Sequence, residues 1–106
     1  MDIRSSYYND YNALLILKEL SDRITYRIIT STIESAKTTY QISEENKLPL
    51  SSTYKKIQKL YDTGLISIEK INIDSKGKKV LFYRSRIKSL EFNLNQKGLL
   101  LQFNRK

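Results

Sequence analysis

Between Leu48 and Ile66 the chain reads LPLSSTYKKIQKLYDTGLI, which sets Ser51, Ser52, Tyr54, Lys55, Lys56, Gln58 and Lys59 close together. Further on, DSKGKK supplies a second cluster, Lys76, Lys78 and Lys79. A lysine ammonium is a compact point charge on a flexible stem, suited to neutralising phosphate more than to reading a base edge. Glutamine carries a donor and an acceptor side by side and can pair bidentately with an adenine edge. Serine hydroxyls and the first amides of a helix donate to phosphate oxygens. Together these groups are suited to holding a polyanion, with Gln58 the candidate for reading its sequence.

Each feature also has an ordinary explanation. Cations on the outside of an amphipathic helix are usually just solvated, and lysines near a hairpin turn keep a sheet edge soluble. What raises the first reading is the distribution of charge. Residues 1 to 47 hold six Lys/Arg and seven Asp/Glu, net −1, whereas residues 48 to 106 hold thirteen and four, net +9. A sequence pI near 9.7 arising from one region is the electrostatic footprint of a polyanion binder.

The elements that must position these groups can be read from period and punctuation. At 106 residues the chain is sized for a single domain with one modest core. Tyr11, Leu14, Leu15 and Leu17 recur at helical spacing over about 9–19, and the tyrosines at 7, 8 and 11 imply that the opening segment packs against something. Ser21 and Asp22 mark the start of a second helix, whose face Ile24, Ile28, Ile29 and Ile33 continues to about Glu34. Thr38 and Gln41 have capping-box spacing for a third, short helix ending near Lys47. Pro49 makes a turn, Ser51 offers a cap for the next helix, and Gly64 closes it. The period then changes to that of strands. Leu65, Ile66, Ile68, Ile71 and Ile73 alternate with a slip between Ile68 and Ile71 that implies a bulge; a turn near Gly77 and the return strand VLFYRSR complete a hairpin. In the tail, Leu90, Phe92 and Leu94 alternate with polar residues, which favours a second hairpin over the competing C-terminal helix.

On a wheel at about 100° per residue, Thr53, Tyr54, Ile57, Leu60 and Tyr61 fall within roughly 60° of Ile57. Ser52, Lys55 and Lys59 lie opposite, flanked by Lys56 and Gln58, so one side is committed to a core and the other presents cations and hydrogen-bonding groups. Helix, proline turn, capped helix, glycine stop and basic hairpin follow in the order of a helix-turn-helix with a wing.

Over residues 13 to 86, ILKELSDRITYRII, KTTYQISEENKLPLSSTYKKIQKLYDTGLI and the hairpin through YRSR resemble the small winged-helix transcription regulators of prokaryotes, particularly the ArsR-like group and its archaeal relatives. The resemblance implies an α+β winged helix-turn-helix with about four helices. The helix-turn-helix would span about 38–64 and the wing about 65–86, with a C-terminal extension at 87–106. It also implies a homodimer on double-stranded DNA, with Ser51, Ser52, Tyr54, Lys55, Gln58 and Lys59 on the recognition helix and Lys76, Lys78 and Lys79 on the wing. Lys56, at the flank of the same helix, joins them as a phosphate candidate. Metal-sensing members of the group use cysteine, histidine and carboxylate ligands, and this chain has no cysteine and no histidine.

Those two absences, with no Gly-rich phosphate loop, leave no nucleophile and base together, so an enzyme is not expected and no cofactor is implied. A protein-interaction or RNA-binding module on the same fold is the rival reading. Apolar runs far shorter than the roughly 20 residues of a membrane span, and no disulfide framework, imply a cytoplasmic protein without a membrane partner.

Overall fold

Thr38 accepts a hydrogen bond from the Gln41 amide while the Gln41 side chain accepts one from the Thr38 amide, the reciprocal pair that starts helix α3, Thr39–Asn46. The computed structural model describes residues 5–8 and 10–105, with side chains from 10 to 104. Helix α1 spans Asp10–Leu20, α2 Arg23–Ser31 and α4 Leu50–Asp62. Strands β1 (Ser5–Tyr8), β2 (Ile66–Ile73), β3 (Lys79–Ser85), β4 (Ile87–Asn95) and β5 (Gly98–Arg105) complete a small α+β fold of four helices and two antiparallel hairpins, compatible with a winged helix.

Helix ends follow their local chemistry. Asp22 caps α2 by accepting from the Thr25 amide, but the helix stops at Ser31, short of Glu34, with Thr32 as its C-cap, the Thr32 amide donating to the Ile29 carbonyl and the hydroxyl to the Ile28 carbonyl. The expected cap at Ser51 is corrected: α4 begins at Leu50 with Pro49 as N-cap, and no side chain caps it. Proline lacks the amide that would need a partner there, and its φ of −61° suits the extended cap position. Gly64, at φ +83°, ends α4. The Gly64 amide donates to Tyr61 and the Leu65 amide to Leu60, the paired bonds of a left-handed helix stop. Lys47 does the same for α3 at φ +53°, where the Leu48 amide reaches the Ser43 carbonyl.

The helical core consists of Ile28, Ile29, Ile42, Leu48, Ile57, Leu60 and Ile66. Each such side chain contributes about 1.5–3 kcal/mol on leaving water. A second, smaller cluster contradicts the expectation of one core: Ala13, Leu101 and Phe103 pack with Ile16, Leu90, Phe92 and Leu99, joining α1 to the C-terminal hairpin. That hairpin is β4–β5, and β1 adds to its far edge in the order β1-β5-β4. Buried Thr53 and Ser43 satisfy their hydroxyls on the Pro49 and Leu48 carbonyls.

The β2–β3 hairpin carries its register shift between Ile68 and Lys70, inside the interval where the sequence pattern slips. Hydrogen bonds tie it to the segment between α2 and α3. Lys37 and Tyr83 exchange backbone hydrogen bonds, extending the hairpin by one bridge. The Ser85 amide donates to the Thr32 carbonyl. Arg84 donates to the Ile33 and Glu34 carbonyls and pairs with Glu69 at 2.9 Å. Among the described residues, no helix is long and apolar enough to cross a membrane.

Candidate nucleic-acid interface

Thr53, Ile57 and Leu60 anchor α4 in the core, so the rest of its circumference is held in a fixed orientation. The two flanks differ. Toward α1 and α2, Lys56 is half-buried between Glu19 at 3.8 Å and Asp22 at 3.7 Å, and Lys59 pairs with Glu19 at 3.2 Å. Ser52 shares this flank and is half-buried. The outward row is Ser51, Lys55, Gln58 and Asp62, all exposed, with the Gln58 amide donating to the Asp62 carboxylate at 2.9 Å. Tyr54 and Tyr61 face the β2–β3 hairpin, where Tyr61 meets Tyr83 edge-on at 6.5 Å.

The hairpin tip is ordered by one carboxylate. Asp74 accepts from the amides of Lys76 and Lys78, both at 2.9 Å, and its own amide donates to the Lys78 carbonyl. Lys76, Lys78 and Lys79 are exposed, and among the described residues none of them, nor Lys55, has a carboxylate at ion-pair distance. The ten candidates therefore separate. Lys55 and the three hairpin lysines are unpaired, whereas Lys56 and Lys59 are held by acids. The sequence could not separate them, because Glu19 and Asp22 reach α4 only through the packing of the first two helices.

Electrostatics follow the contacts. The Thr25 amide, and then the Lys56 charge, hold the Asp22 carboxyl below its ordinary range against the opposing effect of burial. Burial first, then the neighbouring Tyr54 and Tyr61 phenols, push the Tyr83 hydroxyl above its usual value, so it stays neutral. The Tyr40 hydroxyl is likewise raised by its hydrogen bond to Glu44.

At the start of α4, with no side-chain cap, the first-turn amides and the positive end of the dipole are open to an anion. Thr38, Thr39 and Tyr40, at the start of α3, line a cleft of about 440 Å³ with Tyr54 of α4 and with Lys78, Lys79, Leu81 and Tyr83 of the hairpin. Sequence reading missed this wall. Its available signal was the capping box, which places Tyr40 in the first turn of α3; that Tyr40 faces out while Thr39 is buried belongs to the packing of that helix. Tyr11, expected in a core or interface, is 72% exposed. Among the described residues no three of His, Cys, Asp or Glu come together in a way that could hold a metal ion. Compared with protein-family models and with curated proteins, the chain matches no family model and no curated relative.

Proposed function

We propose that this protein is a sequence-specific double-stranded DNA-binding regulator of transcription of the winged helix-turn-helix type. In this reading α4 enters the major groove and the β2–β3 hairpin lies on the backbone and adjacent minor groove. A helix about 10–12 Å across fits a groove about 12 Å wide, and the residues of its first turns reach base edges. The observation that carries the reading is one of placement: among the described residues Lys55 on α4 and Lys76, Lys78 and Lys79 on the hairpin tip are exposed without an acid partner on the two elements that would meet the duplex. A protein-interaction module has no need to align cations on the outer face of α4 and on the hairpin tip at once.

In this scheme Lys55 and the hairpin lysines neutralise phosphates, Ser51 and the open amides of α4 position the backbone, and Gln58 reads a base after releasing Asp62. Lys59 reaches phosphate only by leaving Glu19, an exchange of one weak surface pair for another. The test is anisotropy of labelled duplexes across a salt series. Affinity falls steeply with salt, and Lys55→Ala lowers the slope of log K against log salt by about one. Failure to bind any duplex at low ionic strength overturns the proposal.

The same reading includes a homodimer. Tyr11, Leu14 and Leu15 of α1 are exposed, and a nearly apolar groove of about 370 Å³ is lined by Leu17, Leu20, Ile29, Ile87, Leu90 and Phe92. A second copy covering these side chains is the proposed dimer, and to bind an inverted repeat with half-sites one turn apart its two α4 helices would have to lie about 34 Å apart.

A further inference from the structure

The cleft between the starts of α3 and α4 and the β2–β3 hairpin has more aromatic surface than duplex binding uses. Tyr40 is 60% and Tyr54 56% exposed, and the half-buried Tyr83 is supported edge-on by Tyr61. Exposed phenol rings are apolar over most of their area, so they serve best against a flat apolar partner. Inside a duplex the faces of the bases are hidden by stacking. A base outside the stack offers its π-face, and aromatic side chains are the usual platform for it.

The charges in the cleft select the rest of the ligand. Among the described residues Lys78 and Lys79 line it without acid partners; the one carboxylate in the lining, Asp74, accepts two amides of its own loop, and Glu44, outside the lining, is held by the Tyr40 hydroxyl. The neutral Tyr83 phenol adds no charge. Two cations against one occupied carboxylate favour an anion beside the rings. The volume of about 440 Å³ lies within the roughly 300–1,000 Å³ typical of small-ligand sites. An aromatic, anionic ligand of that size, next to a surface read as DNA-binding, is a nucleotide.

We propose that this cleft takes one unpaired nucleotide, its base against Tyr54 and Tyr40 and its phosphate on Lys78 and Lys79, so that the protein favours a duplex with an adjoining single strand over a blunt one. The inference rests on the nucleic-acid reading of this face and adds a second class of substrate to it. Tyr54 supplies the principal stacking surface and Tyr40 the opposite wall.

The test compares a blunt duplex with the same duplex carrying three unpaired nucleotides, 2-aminopurine being the first of them. The overhang binds about tenfold tighter, the order of effect of one base–aromatic stack, and the 2-aminopurine fluorescence changes on binding. Tyr54→Leu brings the overhang-to-blunt affinity ratio toward one, and Tyr40→Leu lowers it. The ratio cancels any loss of groove contact common to both ligands, and both side chains are exposed enough for the variants to fold. Equal affinity for the two ligands overturns the proposal, as does a ratio that survives both variants. Binding of overhangs or single strands with no affinity for blunt duplex would sustain the cleft and overturn the duplex reading. Binding of blunt duplex with no gain from the overhang would do the reverse.

Discussion

At the scale of single residues, net charge matters less than which charges are already satisfied. Lys55 and Lys56 are adjacent in sequence, yet Lys55 points outward while Lys56 lies between two carboxylates. Lys56→Ala should therefore leave the salt dependence of DNA binding nearly unchanged and cost at most about 1 kcal/mol of stability, measured by denaturant unfolding. Gln58 is tied to Asp62 before any ligand arrives. Gln58→Ala should change the preferred sequence in a selection from random duplexes while keeping the salt slope; a uniform loss on all sequences would refute base reading.

At the scale of elements, the ends of the helices control the orientation of the interface. Asp22 caps α2 and faces Lys56 of α4, so it links the two helices through one carboxylate. Asp22→Ala should cost about 1 kcal/mol at neutral pH. Because the folded protein holds this carboxyl below its ordinary range, the contribution is complete above about pH 4, the unfolded value, and disappears as pH falls through the folded value. The stability gap between parent and variant, followed by denaturant unfolding from pH 6 downward, should close in that window. Lys47 ends α3 at φ +53°, a conformation that costs a side-chain-bearing residue about 1–2 kcal/mol. Lys47→Gly should raise the unfolding free energy by about 0.5–1 kcal/mol, net of the greater freedom of glycine in the unfolded chain.

At the scale of the molecule, measuring 57 × 34 × 21 Å, the helical core orients α4 while a second cluster ties α1 to the C-terminal hairpin. The exposed apolar residues of α1 are the surface that the proposed dimer would cover. Sedimentation at micromolar concentration should give twice the monomer mass, and Leu14→Glu with Leu15→Glu should return the monomer with the helical core intact by circular dichroism. A parent protein that sediments as a monomer would remove the dimer from the proposal.

Local signals specified much of this. The capping box at Thr38 and Gln41, the glycine stop at Gly64, the bulge between Ile68 and Lys70 and the alternation in the tail are short-range effects of backbone sterics and hydrogen bonding, and all are present in the folded chain. A period of 3.6 shows that a helix has an apolar side without showing whether anything covers it, so the spacing of Tyr11, Leu14 and Leu15 predicts a helix without telling core from interface, and all three lie exposed. Strand β1 was illegible because SSYY has no alternation and its partner β5 is some ninety residues away. The cationic candidates were legible as residue types. Their division into paired and unpaired groups belongs to the tertiary structure, because Coulomb interactions depend on distance in space, and the packing of the first two helices brings Glu19 within reach of Lys59, 40 positions along the chain.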